Sequence, residues 1–330
     1  MKIKDIAEAL HLSVSTVSKA LNGAFDVSKE TKEQVLEYAK AHGYKSRDER
    51  LTVKKVRRLC YIYDYVGTES TNNSIIMPLL QPFSKYAREN NFEVVQIPAS
   101  MITTSYNKFM KENSFDGAFI AGLNETSPLF NELENTDIPT VLYDNVLLGD
   151  KVATINNESI NTIRKLVNML YKNGHRKIGF IHGDKNSFVS NERFAGYITG
   201  QIMNNIDYNP KYVYFGNFSE ETGYEAANYF VQTDITAVVC ASDIIAIGLI
   251  KGLKQHGLNV PNDISVTGYD DLDISKYVTP ALTTVRQDLD LIGEKALSTL
   301  LSMMMNRTSQ RIVINGEIIV RDSTGLCKNR

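Results

Sequence analysis

The stretch KDIAEALHLSVSTVSKALN, residues 4–22, sets the start of the fold. The spacing of its apolar residues predicts two short helices joined by a tight turn at His11 and Leu12, since residues three and four apart share one helix face. Ser13 is placed to cap the second helix, because its hydroxyl can accept a backbone N–H that no carbonyl inside the helix reaches. The predicted apolar stripes are Ile6, Ala9 and Leu10 on the first helix and Val17, Ala20 and Leu21 on the second.

The other face of the second helix carries short polar side chains, one valine and one lysine, and no acid. A helix in a DNA groove must avoid acids, because duplex DNA carries a phosphate charge about every 1.7 Å of its axis. Short donors and a methyl-bearing side chain near a helix start suit base edges in the major groove. A generic helical hairpin is the alternative. The predicted DNA contacts on this helix are Ser13, Val14, Ser15, Thr16, Ser18, Lys19 and Asn22.

The run IKDIAEALHLSVSTVSKALNG (3–23), with VSKETKEQVLEYAKAHGY (27–44) after it, resembles the head of LacI/GalR-family bacterial repressors. The second half carries further segments typical of that family in the same order, so the resemblance covers nearly the whole chain. It implies a helix-turn-helix head followed by an effector domain of the periplasmic-binding-protein type I fold. The further segments are GHRKIGFI (174–181), ERFAGY (192–197), ASDIIAIG (241–248), DISVTGYDD (263–271) and PALTTVRQD (280–288).

A third helix is predicted after Ser28, which can cap it, with His42 near its end. Its apolar residues can cover the first two helices, and the resulting three-helix unit of residues 1–44 is near the lower size limit for independent folding. The residues expected to cover the other helices are Val35, Leu36 and Ala39.

Residues 45–58, KSRDERLTVKKVRR, form a charged connector. In the resembled family this segment usually carries a hinge helix of the type Pro-x-x-Ala-x-x-Leu, which orders on DNA and inserts a leucine into the minor groove. Here there is no Pro and no Ala, and Leu51 is the only candidate wedge. A solvated linker whose Arg50 and neighbouring cations contact phosphates alone is the alternative. Arg50 and Leu51 complete the predicted DNA contacts.

The charge of the chain is distributed unevenly. Residues 1–58 contain 13 Lys and Arg against 8 Asp and Glu, whereas the remainder contains 23 against 30, which gives net charges of +5 and −7. This asymmetry favours a nucleic-acid-binding head on an acidic body. Three widely spaced cysteines fit a reducing compartment and offer no metal-binding spacing. No leader and no apolar run of about 20 residues is found, so we expect a cytoplasmic protein without a membrane span, metal or cofactor.

After the connector, apolar runs alternate with helical patterns, which predicts parallel sheets with helices on both faces. The expected fold class is α/β: a small all-α head followed by two doubly wound lobes with a ligand cleft between them. The predicted domains are a head, 1–44; a linker, 45–58; an N-terminal lobe, 59–153 plus 288–309; and a C-terminal lobe, 154–287 plus 310–330, which includes the terminal strands RIVI and EIIV.

Ligands of open parallel sheets bind beyond the carboxyl ends of the strands. The resemblance implies that Arg193 and Asp270 clasp the effector and that Phe218 stacks on it, an arrangement that suits a polar ring such as a sugar. A nucleobase or another metabolite stays open, as do a purely structural Arg193–Asp270 pair, a cap role for Asp243 and a core role for Phe218. The predicted effector residues are Asp64, Tyr65, Asp144, Phe188, Arg193, Phe218, Ser242, Asp243 and Asp270.

These patterns favour a transcriptional regulator, most simply a repressor, that binds a palindromic operator as a homodimer and responds to a small polar effector. The chain ends at Arg330 without leucine heptads, so a dimer is expected rather than a tetramer. An enzyme is disfavoured because none of the catalytic motifs G-x-S-x-G, G-x-x-x-x-G-K-[ST] or H-E-x-x-H is present. A transport-type binding protein is disfavoured by the basic head and the missing leader. Whether the effector releases or strengthens DNA binding stays open.

Overall fold

The structure, a computed structural model, describes residues 3–21, 27–42, 44, 57–64, 75–147, 149–305 and 309–328. The chain divides into two compact units, Met1–Val56 and Arg57–Arg330. Each unit has its own hydrophobic core. Within the described residues, no helix is both long and apolar enough to cross a bilayer.

The first unit contains the three predicted helices, α1 (Ile3–Ala9), α2 (Val14–Leu21) and α3 (Lys29–Ala41). Their shared core is made of small and branched side chains, which lets three short helices pack closely. Two predicted core positions are wrong: Ala9 is exposed and Leu36 is 50 % exposed, because Ala7 takes the inward position on α1 and Val35 and Ala39 already fill the inner face of α3. The buried residues of this core are Ile6, Ala7, Val17, Ala20, Val27, Val35 and Ala39.

The first lobe of the second unit is built on a six-stranded parallel sheet in the order β11-β5-β4-β3-β1-β2. Its inner strands are apolar runs buried along almost their whole length, as expected when helices cover both faces. The strands are β1 (Arg57–Tyr63), β2 (Phe92–Pro98), β3 (Gly117–Ala121), β4 (Thr140–Tyr143), β5 (Val152–Asn157) and β11 (Arg311–Ile314). The helices are α4 (Ile76–Glu89), α5 (Tyr106–Glu112), α6 (Pro128–Leu133) and α11 (Leu289–Met304).

The second lobe has a four-stranded parallel sheet in the order β7-β6-β8-β9 and a two-stranded antiparallel ribbon, β10-β12. The strands are β6 (Ile178–His182), β7 (Val213–Phe215), β8 (Ala237–Cys240), β9 (Ser265–Thr267), β10 (Thr284–Arg286) and β12 (Glu317–Ile319). The helices are α7 (Ser159–Lys172), α8 (Phe188–Met203), α9 (Glu220–Phe230) and α10 (Asp243–Gln255).

Two details of the predicted lobe boundaries are wrong. Residues 152–157 form strand β5 of the first lobe, so the chain enters the second lobe after Asn157 and not near Thr154. The run RIVI, expected in the second lobe, is β11 and pairs in parallel with β5. Both segments are short, and local sequence cannot tell which of two similar sheets supplies their hydrogen-bonding partner.

Candidate DNA-reading helix and effector cavity

The surface of α2 has the composition that DNA reading requires. Ser13 caps the helix as predicted: its Oγ accepts the Thr16 backbone N–H at 3.0 Å and lies 2.8 Å from the Thr16 hydroxyl. Val14 is 49 % exposed, Ser15 and Lys19 are exposed, and α2 contains no acid.

Thr16 and Ser18 are half-buried at the edges of this surface, so the predicted face points away from the head's own core over most of its width. Three other predicted DNA contacts, Asn22, Arg50 and Leu51, lie outside the described residues, as does most of the 45–58 connector.

A cavity of about 410 Å³ lies within the second unit, where the carboxyl ends of strands from both lobes face one another. This is the position that the strand-end rule predicts, and the volume is near the lower end of the range usual for small-molecule sites. Tyr65 lies outside the described residues. The predicted residues that line the cavity are Asp64, Asp144, Phe188, Arg193, Phe218, Ser242 and Asp270.

Arg193, on the second turn of α8, is 3 % exposed. Its Nη1 donates to the carbonyl of Ala241 at 2.5 Å, and its Nη2 lies 3.6 Å from Oδ1 of Asp270. The guanidinium carbon lies 3.8 Å from the centre of the Tyr269 ring. Its Nε is buried and has no hydrogen-bond partner among the described residues. The side chain is therefore held by contacts at its terminal nitrogens and its plane, while its Nε is left without a partner.

Phe218 lies on the same side of the cavity as Arg193, whose guanidinium carbon is 6.0 Å from the ring centre. A Cβ atom at Gly183 would come within 2.5 Å of Cζ of Phe218, so only glycine leaves room for the ring there. Phe218 is half-buried. It packs against the hydrophobic core of the second lobe and also lines the cavity, so it can support the fold and be reached from the cavity.

Gln287 connects the two lobes at the cavity. Its Nε2 donates to Oδ1 of Asp270 at 2.6 Å in the second lobe. Its Oε1 accepts from the Tyr143 hydroxyl and from Nδ2 of Asn157, both at 2.5 Å, in the first lobe. A change in the spacing of the lobes must break or stretch this chain, because hydrogen bonds weaken steeply outside their normal geometry.

Two acids of the cavity are shifted toward their protonated forms. Burial raises the pKa of Asp270 to about 8, and the nearby Arg193 only partly opposes that change. Burial likewise raises the pKa of Asp144 to about 6. The loss of hydration dominates in both cases, so the cavity disfavours isolated negative charge.

Asp243 is not among the residues that line the cavity, which corrects its prediction as an effector contact. The helix cap at α10 is Ser242, whose Oγ accepts from the Ile245 N–H. The Asp243 carboxylate is fully buried and accepts from Leu272 N at 2.8 Å, Ser275 Oγ at 2.6 Å and Thr284 Oγ1. Its role is to tie α10 to the segment that carries Asp270.

Several lining residues were missed by the sequence analysis. Asn145 directly follows Asp144 and is 2 % exposed; its Nδ2 donates to the Leu123 carbonyl at 2.9 Å, and its Oδ1 is buried without a partner among the described residues. Its position just past β4 was a usable signal. Gln287 follows β10, a strand outside both main sheets, so the strand-end rule did not reach it. The other polar residues missed are Asn124, Glu125, Tyr143, Asp184, Asn186, Ser219 and Glu221.

Comparison with known proteins gives two family matches along the chain. Residues 2–46 match the family described as "Bacterial regulatory proteins, lacI family", and residues 167–324 match the "Periplasmic binding protein-like domain". The transcriptional regulator MalR of Clostridium butyricum is 30 % identical over 98 % of this chain and 99 % of its own. The chain belongs to the LacI family of transcriptional regulators.

Other LacI-family relatives also match this chain over nearly its whole length. The probable transcriptional repressor ExuR of Bacillus subtilis is 29 % identical, with 97 % of each chain covered, and the transcriptional repressor PurR of Vibrio vulnificus is 28 % identical, with 97 % of this chain and 98 % of that protein covered. These relatives are DNA-binding regulators, so this LacI-family chain is a regulator and not an enzyme.

Solved structures agree on the fold. A complex of the regulator CelR with cellobiose has a TM-score of 0.74 at 22 % identity, and a lac repressor dimer bound to operator and an anti-inducer has a TM-score of 0.70 at 22 % identity; each match covers 98 % of this chain and 99 % of the other. A LacI-family regulator from Enterococcus faecium with bound ribose has a TM-score of 0.72 at 20 % identity, covering 82 % of this chain and 100 % of that chain.

Proposed function

We propose that this LacI-family regulator is a repressor that acts on DNA in the cytoplasm and is controlled by a small, sugar-like effector bound between its lobes. The observation that carries the proposal is the cavity. It combines a rigidly held guanidinium with a free Nε, carboxyl acceptors and an aromatic ring, the groups that bind a polyhydroxylated ring from its edge and its face. The residues proposed to contact the effector are Asp64, Asp144, Asn145, Phe188, Arg193, Phe218 and Asp270.

Cellobiose and ribose in related structures support a sugar over a nucleobase. The mix of groups in the cavity supports it independently. Of the 24 described residues that line this cavity, 15 carry a carboxyl, amide or hydroxyl group. Sugar hydroxyls can satisfy such groups because each hydroxyl both donates and accepts.

For DNA we propose that α2 enters the major groove with Val14, Ser15, Thr16, Ser18 and Lys19 toward the base edges. A homodimer reading a palindrome is the simplest arrangement, because a two-fold protein matches two half-sites. Light scattering that gives the mass of one chain, or of four, would overturn the homodimer.

Control by the effector requires two states of the effector domain with different ligand affinities. The Tyr143–Gln287–Asp270 chain is the candidate two-state element, since it joins the lobes and ends on a ligand-facing carboxyl. By linkage, the effector changes operator affinity by the same factor by which operator changes effector affinity.

The test is selection of bound duplexes from a random library, followed by gel shifts on the selected site with and without sugars. We expect a preferred site with two-fold symmetry and binding that weakens as salt rises. We also expect one sugar to change the apparent Kd on that site and to raise the melting temperature of the protein. Equal affinity for every duplex with every sugar would overturn the proposal.

A further inference from the structure

The cavity carries a large excess of acidic side chains. Among the described residues that line it, the only basic one is Arg193, against six with carboxyl groups. The acids come from both lobes, so a ligand anywhere in the cavity has carboxyl groups on two sides. They are Asp64, Glu125, Asp144, Asp184, Glu221 and Asp270.

The terminal nitrogens of Arg193 already have partners in the protein. Its two terminal nitrogens face the Ala241 carbonyl and Asp270, and its plane lies over the Tyr269 ring. Arginine binds phosphates and carboxylates best through two parallel N–H donors. Here Nη1 is hydrogen-bonded, Nη2 is paired with Asp270 at 3.6 Å and Nε is buried without a partner. A bidentate fork to an anion through Nε and Nη2 would therefore compete with the Asp270 contact.

Helix starts are the other usual anion sites, and here acids occupy them. The first turn of α9 carries Glu220 and Glu221, and that of α10 carries Asp243. The first turn of α8 has no acid, but Asp184 lies just before it and lines the same cavity. At the starts of α8 and α9, acids that line the cavity, Asp184 and Glu221, thus lie where a phosphate would bind, and Asp243 adds buried negative charge behind the start of α10.

The two buried polar atoms that lack partners in this cavity have opposite needs. Nε of Arg193 requires an acceptor, and Oδ1 of Asn145 requires a donor. The orientation of the Asn145 amide is fixed, because its Nδ2 must donate to the Leu123 carbonyl. Hydroxyl groups of a ligand can meet both needs, whereas a phosphate or carboxylate group placed at the same point supplies acceptors alone.

The environment that shifts the acids acts on a ligand as well. Burial raises the pKa of Asp144 to about 6 and that of Asp270 to about 8. Both shifts indicate that the cavity solvates negative charge poorly. An anionic ligand would lose hydration in the same place and would gain no free cation in return.

We propose that the cavity selects an uncharged, hydroxyl-rich ligand of mono- or disaccharide size against its phosphorylated or carboxylated counterparts, with Asn145 as a specificity-determining acceptor. This inference rests on the proposed function, because it assigns the chemistry of the same effector site. It is narrower, since a sugar-binding cavity could equally have been built for a sugar phosphate or a uronic acid.

The test uses matched pairs that differ by one anionic group: glucose with glucose 6-phosphate and glucuronate, ribose with ribose 5-phosphate, galactose with galacturonate, and cellobiose and maltose with their phosphates. Binding to the full chain is measured by calorimetry and thermal shift at constant ionic strength. We expect the best neutral probe to bind at least about tenfold more tightly than its anionic partners. An anionic probe that binds as tightly as its neutral partner, or more tightly, overturns this inference and leaves the sugar effector standing.

Binding of no probe at all overturns the sugar class itself, and this inference with it. Operator binding by the same preparation separates that outcome from failure of the DNA-binding proposal. Selection and gel shift do not need an effector, so they report on α2 even when the cavity stays empty.

Asparagine variants test the assignment of Asn145 with a matched control. Asn124 also lines the cavity, but its Oδ1 already accepts from the Thr126 N–H and hydroxyl at 2.9 and 2.8 Å. We expect Asn145→Ala to weaken binding of the best neutral probe about five- to tenfold, the usual effect of one lost hydrogen bond, and Asn124→Ala to weaken it less. If Asn145→Ala does not fold, Asn145→Ser takes its place. Equal losses at both positions would overturn the role of Asn145.

Charge variants test directly whether the carboxyl groups of the cavity disfavour anionic ligands. In Asp184→Asn/Glu221→Gln, we expect the ratio of anionic to neutral Kd to fall by about fivefold, because two like charges facing the ligand are removed. Lys108→Gln changes charge on α5, at a residue that does not line the cavity, and serves as the control. An unchanged ratio in the double variant would mean that the carboxyl groups do not discriminate.

Discussion

The head and the effector cavity obtain their functional surfaces in opposite ways. The head places its proposed DNA-reading residues on one eight-residue helix, α2, whose cap, core side and outer side are all local in sequence. The cavity gathers its residues from positions as far apart as Asp64 and Gln287. Substitutions on a surface made by one helix should each remove one contact with DNA. A single substitution in a cavity built on a shared hydrogen-bond chain should weaken several ligand contacts together.

The cavity also carries buried charged side chains, which the described residues of the head lack, and two of its acids lie on strained backbone. Asp144 and Asp270 have positive φ angles of 56° and 120°, conformations that non-glycine residues rarely adopt. Such positions persist where surrounding structure fixes them, and they cluster at ligand sites and switches. The comparison predicts that substitutions in the cavity should change both stability and ligand response, while those on the outer side of α2 should change DNA binding alone.

The largest effect is expected for Arg193→Met. The substitution keeps the length of the side chain but removes the buried guanidinium that donates to the Ala241 carbonyl and lies beside Asp270. Because Asp270 holds a proton up to about pH 8, the loss at neutral pH is that of a buried hydrogen bond from a charged group, about 1.5–3 kcal/mol; the larger cost of an unpaired buried carboxylate applies only above that pH. We expect a lower melting temperature and no response to the best neutral sugar, with selected-site binding retained where the protein stays folded. Calorimetry and gel shifts measure the two functions on one preparation.

Arg88→Met is the control for that substitution, because Arg88 is an exposed arginine at the end of α4 and does not line the cavity. It should leave both measurements unchanged. A full ligand response in Arg193→Met would show that the guanidinium is purely structural and would remove the central contact of the proposed site.

The next effect concerns Lys19, the cation on α2. Lys19→Ala should weaken binding to the selected duplex by about 1–3 kcal/mol and relax preference at one position of the half-site if the side chain reads a guanine. Effector binding should not change. Selection with the variant, followed by gel shifts at several salt concentrations, separates the possibilities.

A uniform loss on all duplexes, with a smaller dependence on salt, would instead assign Lys19 to a phosphate. Lys29→Ala changes the same charge on α3, where the side chain is exposed and lies 3.9 Å from Glu33. If that control loses as much specificity as Lys19→Ala, the distinction between the two helices is wrong.

A third prediction uses the raised pKa of Asp270. The folded protein holds a proton on this group up to about pH 8, whereas an unfolded aspartate releases it near pH 3.9. Folding therefore takes up a proton between these values, and this group's contribution to the free energy of unfolding falls as the pH rises, by at most about 1.4 kcal/mol per pH unit. A sugar hydroxyl that donates to the ionised carboxylate should bind more tightly as the pH approaches 8.

The window from pH 6.5 to 8 includes the raised pKa of Asp270. Burial lowers the pKa values of His175 and His182, and histidines of the unfolded chain titrate near 6.5, so the contribution of Asp270 is taken as the difference between the wild type and Asp270→Asn, which share these histidines. Urea denaturation without ligand should show stability falling across the window in the wild type and a flatter profile in Asp270→Asn. Parallel slopes in the two proteins would show that Asp270 is already ionised at pH 6.5.

The same contrast explains what the sequence could predict. The head's helices, the Ser13 cap and the acid-free face of α2 follow from spacing within a few residues, and the structure confirms them. The errors at Ala9 and Leu36 arose because apolar residues at helical spacing outnumber the positions that so small a core can bury. The sequence pattern predicts which side of a helix is buried, but it does not decide which residues at the edges of that side are buried.

In the effector domain, the alternation of strands and helices predicted two lobes and the position of the cavity, because ligand sites follow from parallel topology. It could not assign β5 and β11, whose partners are decided by long-range pairing. Nor could it separate Asp243, which stabilises the segment that follows Asp270, from Ser242, which lines the cavity one residue earlier. Which side chain of a neighbouring pair faces a ligand depends on packing from elsewhere in the chain.

The smallest predicted effect compares two caps of the same chemistry in the head. Ser13 Oγ accepts the Thr16 N–H at 3.0 Å at the start of α2, and Ser28 Oγ accepts the Thr31 N–H at 3.2 Å at the start of α3. Replacing either serine by alanine should lower the stability of the head by about 1 kcal/mol, the usual value of such a cap. Ser13 alone stands at the proposed groove-facing end, so Ser13→Ala should also weaken the selected site beyond what lost stability explains. Urea titrations matched to gel shifts at low temperature, where both variants are folded, measure that difference. If the two variants lose operator affinity equally, Ser13 is a cap and nothing more, and the DNA-reading surface begins at Val14.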